Sequence, residues 1–222
     1  MNIQSFPERM AQALESCVIV DIETTGLEPR DNRIIEVATL TVRNTEPVEM
    51  RRWLLNPGAH ISEFITDLTG ITNAHVASCP SFADVAPEIM EVLSPRHTEG
   101  ASQSRAPMLV GHNVAFDYSF LQHELLRDVL AEPNRAEPSP DHSGSHPGAE
   151  SAWWAPYTPP LLCTAEIARS LIPRQAVGRY RLDAVAGYLS TPHRPCHRAE
   201  VDVWATYDVL RGLSKLALAN DH

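Results

Sequence analysis

The chain has 222 residues, a formal charge of −10 and a hydrophobic share of 43%. That length suits one α/β domain with a sizeable core, and that apolar share excludes a mainly disordered chain. No stretch nears the roughly 18 apolar residues of a membrane span, and the start MNIQSFPERMAQALES lacks the basic head and apolar run of a signal peptide. The expectation is a single domain, residues 1–222, in the cytoplasm.

The four cysteines, Cys17, Cys79, Cys163 and Cys196, are widely scattered and form no C-x-x-C pair, so no disulfide framework is expected. His193, Cys196 and His197 are loosely spaced and lack a second ligand pair, which disfavours zinc.

Residues 1–16 form a short helix or a loose arm. Cys17-Val18-Ile19-Val20 is a β-branched run leading to the turn residues Thr24-Thr25-Gly26, as a buried strand does. Residues 33–42 and 47–55 read as two further strands, and their short connections favour antiparallel hairpins. Ile61, Phe64, Ile65 and Leu68 recur at helical spacing before Thr69-Gly70. Ser81 caps a helix whose stripe is Phe82, Val85, Ile89, Val92 and Leu93. Residues 94–107 read as a loop, Met108-Leu109-Val110 as a strand, and Ala115 to Leu130 as a helix with Phe116, Phe120, Leu121 and Leu125 on its buried face.

Residues 131–160 hold seven prolines among Gly, Ser and His and read as a flexible insertion. Trp153, Trp154 and Tyr157 near its end pin it to the core or, alternatively, stack on bases or meet a partner. Leu161-Leu162-Cys163 is a last short strand. Thr164 caps a helix to Leu171, and Arg181 to Leu189 and Arg198 to Leu216 supply two more. Antiparallel strands first, then strands alternating with helices, give a mixed sheet flanked by helices.

Three segments carry chemistry. Asp21 and Glu23 lie two apart on a strand, so both point to one face. Taken alone such a pair suits a solvated edge, but on a buried strand two carboxylates need partners or metals. Asp117 stands at a helix start just beyond a strand, after His112-Asn113, where site residues of α/β sheets gather. His197 precedes a helix and Asp202 lies one turn into it, which suits a mobile proton acceptor beside a fixed ligand. Carboxylates are hard donors for Mg²⁺ or Mn²⁺, and paired metals on carboxylates are a common device for cleaving phosphodiesters. The acidic balance argues mildly against a general nucleic-acid binder. A protein holding only a strand end needs less basic surface, and Arg30, Arg33, Arg174, Arg179 and Arg181 can form a local patch.

In order and setting these segments resemble the DEDD superfamily of 3′–5′ exonucleases. Asp21 to Leu27 matches D-x-E-T-T-G-L, Gly111 to Asp117 matches G-H-N-x-x-F-D, and His197 to Asp202 matches H-R-A-x-x-D. Smaller matches are Leu68-Thr69-Gly70-Ile71-Thr72 and Tyr180-Arg181-Leu182-Asp183, so the likeness runs from about Val18 to Leu213. The tyrosine subtype carries Tyr four positions before the last aspartate. Arg198 stands there and His197 precedes it, which fits the histidine, DnaQ-like subtype (DEDDh). The likeness is greatest to the proofreading epsilon subunit of bacterial DNA polymerase III and its free-standing relatives. Val203 and Trp204, unusual after the last aspartate, are expected to affect helix packing.

The resemblance implies a ribonuclease-H-like fold with a mixed five-stranded sheet. It implies that Asp21, Glu23, Asp117 and Asp202 hold two divalent cations, Mg²⁺ or Mn²⁺. The cations would activate water and stabilise the leaving 3′ oxygen, and His197 would take the water's proton. Thr24, Thr25 and Leu27 would meet the terminal nucleotide, with His112, Asn113 and Phe116 lining the pocket, although the helical stripe suits Phe116 equally to the core. The implied activity is release of nucleoside 5′-monophosphates from DNA 3′ ends in proofreading or repair. The alternatives are an RNA 3′–5′ exonuclease of the same superfamily and, from another class, a non-catalytic nucleic-acid-binding module. Expected partners are single-stranded DNA or RNA 3′ ends and a DNA polymerase, although no long tail follows the last helix to tether one.

Overall fold

The computed structural model describes residues 5–94, 107–131 and 157–220. Most of the expected 94–107 loop and of the 131–160 insertion, with Trp153 and Trp154, lies outside the described residues.

A helix α1 (Phe6–Glu15) leads directly into β1 (Ser16–Thr24). Residues 6–15 are therefore no loose arm: Met10, Ala13 and Leu14 of α1 are buried in the core. β2 (Ile34–Arg43) and β3 (Glu46–Leu54) follow, then α2 (Glu63–Thr69), α3 (Asn73–Val76) and α4 (Phe82–Leu93). β4 (Met108–Gly111), α5 (Val114–Ala131), β5 (Leu161–Cys163), α6 (Thr164–Leu171), α7 (Arg174–Val177), α8 (Leu182–Tyr188) and α9 (Ala199–Asn220) complete the order.

The five strands form one sheet in the order β3-β2-β1-β4-β5. β1 pairs antiparallel with β2, and β2 with β3, while β4 runs parallel to β1 and β5 parallel to β4. The sheet is thus mixed, as the element order predicts.

Strand alternation sorts β1 between two cores. Cys17 and Ile19 face α1, α6 and α9, packing with Met10, Ile167, Ala199, Val203 and Leu210. Val18, Val20 and Ile22 face α4 and α5, packing with Phe82, Ile89, Phe120 and Leu121. Ile35, Ile61, Ile65, Ile71 and Val76 form a smaller cluster under α2 and α3.

Local signals set the helix ends. Gly70 ends α2 in the left-handed region at φ 73, which costs glycine least. Ile65 of α2 is buried, whereas Phe64 is 73% exposed and Leu68 40%, so only part of that periodic set faces inward. Ser81 precedes α4, and the Asp84 carboxylate accepts from the Ser81 backbone N–H at 2.8 Å and its hydroxyl at 2.7 Å. At α6 the expectation needs correction: Cys163 is the cap and Thr164 the first helical residue. The Thr164 hydroxyl turns instead towards the Gly111 carbonyl, at 3.3 Å, and His112 Nδ1, at 2.9 Å. No helix among the described residues is long and apolar enough to cross a membrane.

Candidate active site

β1 runs four residues beyond its apolar stretch because β2 continues opposite it, with Asp21 facing Ala38 and Glu23 facing Glu36. Asp21 and Glu23 continue the face begun by Cys17 and Ile19, which is the face that packs on α9. Ligand atoms of Glu23, His197 and Asp202 all lie within 4.8 Å of one another. Asp117, in the first turn of α5 and 5% exposed, accepts a bond from the Ile22 N–H at 3.2 Å. That bond fixes the start of α5 between Asp21 and Glu23. Asp21 and Asp117 lie outside that group, but Asp21 is near enough to feel the charges of Asp117, Asp202 and Glu23, so the four carboxylates gather at one end of β1 from β1, α5 and α9.

His197 and Asp202 are joined by the chain that leads into α9. Asp202 Oδ1 accepts from the Cys196 N–H at 2.9 Å, folding the preceding loop back over the helix start. His197 is exposed and takes φ 58, a conformation uncommon outside glycine.

The acids oppose one another's ionisation. Burial, then Asp202, Glu36 and Asp117, push Glu23 up to about 8. Burial pushes Asp117 up to about 8. Asp21 is raised well above its usual range by burial and then by Asp117, Asp202, Glu23 and Glu36. Burial also raises Asp202, against the bond from Cys196 and the charge of His197. Such a group needs protons or cations to be stable. An all-oxygen set with one imidazole at its edge suits a hard divalent cation.

Two buried glutamates that the sequence reading passed over support this centre. Glu36 on β2 is fully buried and accepts from Arg52 Nε at 2.6 Å, Arg198 NH2 at 3.0 Å and the Ala199 N–H at 2.9 Å. Burial pushes Glu36 up, but the bonds from Arg198, Ala199 and Arg52 hold it below its ordinary value. Glu124 on α5, also fully buried, accepts from Arg33 Nε at 2.8 Å and the Ile34 N–H at 3.1 Å. One turn on, Arg127 donates to the carbonyls of Pro29, Arg30 and Asn32. Together they clamp the 25–33 loop. For Glu36 the signal was a lone acid in an apolar run; Glu124 sits in a mixed helical segment and gave none.

The residues expected to meet a nucleotide divide. Leu27 is 79% exposed at the tip of the clamped loop. The Thr24 hydroxyl donates to the Gly26 carbonyl at 2.6 Å, and the Thr25 hydroxyl accepts from the Arg33 N–H at 3.0 Å, so both side chains shape the loop. Asn32 packs so closely on Gly26 that a Cβ there would lie 2.4 Å from its Oδ1. Phe116 is half-buried, its ring centroid 4.9 Å from that of Phe120. His112 has both ring nitrogens engaged, Nδ1 with Thr164 Oγ1 and Nε2 with the Tyr180 carbonyl, each at 2.9 Å. Burial lowers its pKa. His112, Asn113, Arg169, Tyr180, Arg181 and His197 line a groove of about 390 Å³. Arg174 and Arg179 are exposed on the same stretch of chain as Arg181, whereas Arg33 is bound to Glu124.

His193 Nδ1 sits 2.7 Å from Asp208 Oδ2, and its ring stacks on Trp204 at 5.4 Å. Val203 is fully buried in the core. Both residues after Asp202 thus act in packing.

Residues 18–210 match the exonuclease family RNase_T. Over 200 residues the chain is 29% identical to the PolC-type DNA polymerase III of Caldanaerobacter subterraneus subsp. tengcongensis, covering 90% of this chain and 12% of that one. It is 28% identical over 190 residues to the 3′-5′ exonuclease DinG of Bacillus subtilis, covering 85% of this chain and 16% of that one. The chain therefore spans less than a fifth of either relative. Its fold is similar to that of exonuclease X in complex with 5′ overhanging duplex DNA, with a TM-score of 0.58, 23% identity and 93% of each chain covered. The mixed sheet and its helices are those of the RNase H-like exonucleases.

Proposed function

Because the chain belongs to the RNase_T exonuclease family, in its DnaQ-like branch, we propose that it removes nucleotides from the 3′ ends of DNA by metal-dependent hydrolysis. Asp21, Glu23, Asp117 and Asp202 are its metal ligands and His197 its general base. The convergence of Glu23, His197 and Asp202 within 4.8 Å carries this reading.

The cation complement is two ions, Mg²⁺ or Mn²⁺, which when bound supply Lewis acidity and neutralise charge on the reacting phosphate. Asp117 and Asp202 are held by backbone N–H groups of Ile22 and Cys196, so these ligands need little reorganisation. His197 stands on an exposed loop and accepts the proton of the attacking water. The water oxygen bonds to phosphorus, the bond to the 3′ oxygen of the preceding nucleotide breaks, and that oxygen takes up a proton. The product is a nucleoside 5′-monophosphate. Leu27 would offer an apolar surface to the terminal base, and a Thr24 backbone group would meet its 3′-hydroxyl. His112 and Asn113 form one wall of the groove along which the strand would lie.

The DinG relative supports the 3′–5′ direction, and exonuclease X, seen with duplex DNA, supports DNA over RNA. The PolC-type relative supports a polymerase partner in replication or repair. Digestion of 5′-labelled single-stranded DNA and RNA oligomers with Mg²⁺, Mn²⁺ or EDTA, beside Asp21→Ala, tests the reading. The expected result is a metal-dependent ladder shortening from the 3′ end of DNA and absent from the variant. Faster RNA digestion would reassign the substrate, and an active Asp21→Ala would remove the metal assignment.

A further inference from the structure

Glu36 lies directly opposite Glu23 in the β1–β2 register, so two carboxylates face each other across a buried strand pair. Such a pair is unfavourable unless each acid is engaged elsewhere. Glu23 faces His197 and Asp202. Glu36 has no capacity left for a cation. Its Oε1 accepts from Arg52 Nε at 2.6 Å and Arg198 NH2 at 3.0 Å, and its Oε2 from the Ala199 N–H at 2.9 Å and Arg198 Nε at 3.4 Å.

The partners of Glu36 are informative. Arg198 and Ala199 lie in the chain between His197 and Asp202. Ala199 is the first residue of α9, and its N–H has no acceptor within the helix. A strand carboxylate thus supplies the cap that the local sequence does not. Arg52 extends the tie, its NH1 standing 3.7 Å from the Glu200 carboxylate one residue further on. The other side of the same loop is held by the Cys196 N–H on Asp202. Between these two fixings His197 takes φ 58. A non-glycine residue holds such a conformation only where its surroundings over-determine it.

We propose that Glu36, acting through Arg198 and the Ala199 N–H, is a positioning residue that fixes the start of α9 and so aims His197 and Asp202 at Glu23. The inference rests on the metal-dependent exonuclease reading. It differs from simple sheet-to-helix packing in what it couples. Packing contributes to stability wherever it acts, whereas this contact sets the relation between a ligand on β1 and a ligand on α9.

Arg198→Ala is the primary variant, because Glu36 keeps Arg52 and the Ala199 N–H and the chain keeps its core. Arg198→Lys restores one charged donor, and Glu36→Gln removes the charge itself. In the full chain, Mn²⁺ binding is measured by titration calorimetry in the absence of nucleic acid. Thermal unfolding is followed in EDTA, and kcat and KM are determined on a single-stranded DNA oligomer. Arg198→Ala is expected to weaken Mn²⁺ binding about 10–100-fold, the usual effect of losing a group that orients a ligand. Its kcat should fall by at least about tenfold while KM stays within about threefold. Arg198→Lys should recover part of both losses.

An Arg198→Ala protein that melts lower but binds Mn²⁺ and turns over like the native protein would overturn the inference and leave the metal site standing. A native protein that neither binds Mn²⁺ nor cleaves would overturn the metal reading, and this inference with it. If Glu36→Gln does not fold, the Arg198 variants decide alone.

Discussion

Glu23→Gln should make the metal-free protein more stable while removing its activity. Each tenfold change in proton affinity is about 1.4 kcal/mol, so raising Glu23 from 4.5 to about 8 opposes folding by about 5 kcal/mol above pH 8. Burial leads the causes, followed by Asp202, Glu36 and Asp117, and protonating a neighbouring acid instead relieves part of the repulsion, so about 2 kcal/mol is set against Glu23 alone. The sign follows from linkage. The folded state holds the proton more tightly, so the penalty is absent below pH 4.5, grows as the pH rises towards 8 and is complete above it. For a domain of this size 2 kcal/mol is about 4–8 °C in melting temperature. Thermal unfolding in EDTA should therefore place Glu23→Gln about 4–8 °C above the native protein at pH 8.5, with the two alike near pH 4.5. Saturating Mn²⁺ should reverse the order, because a cation at a hundred times its dissociation constant stabilises the native site by about 2.7 kcal/mol. A Glu23→Gln protein that melts no higher than native in EDTA at pH 8.5 would refute the electrostatic account of the cluster.

His197→Ala should slow turnover by about 10²–10⁴-fold with little change in strand affinity, read by single-turnover cleavage beside fluorescence-anisotropy binding. An unchanged rate across the pH range would remove His197 from proton transfer. Glu124→Ala should lower stability by about 2–3 kcal/mol, since it strips the acceptor from the Ile34 N–H and from Arg33, whose side chain is only 30% exposed. It should also raise KM by loosening the loop that carries Leu27; denaturant unfolding and steady-state kinetics read the two effects. Asp117→Asn should leave cleavage below about 1% of native while circular dichroism stays native-like.

The fold was legible wherever periodicity was strong. The β-branched run at Cys17–Val20, the stripe from Phe82 to Leu93 and the hairpin order of the first three strands each follow from spacing alone. Pairing Asp21 with Glu23 followed from the two-residue repeat of a strand. Joining that pair to Asp117 and Asp202 did not, because no local pattern says which helix start lies over which strand end; the family likeness supplied that step. Glu36 and Glu124 stayed hidden for a related reason. Glu36 is one acid among apolar neighbours and Glu124 one polar residue of a mixed helical segment, and only tertiary contact with Arg198, Arg52, Arg33 and Arg127 gives each a function. Thr164 misled because a threonine at a helix start usually caps it, whereas here its hydroxyl answers a carbonyl and an imidazole on the neighbouring β4–α5 turn.

The carboxylate cluster draws its first members from β1 and its last from α9, the first strand and the last helix of the described fold. During synthesis Asp21 and Glu23 emerge well before Asp202 can join them. A polypeptide interrupted before His197 lacks both that histidine and Asp202, together with the helix that packs on one face of the sheet. On the proposed roles of His197 and Asp202, a fragment that stops short of them would lack activity, and the site completes only when the sheet gains its α9 cover.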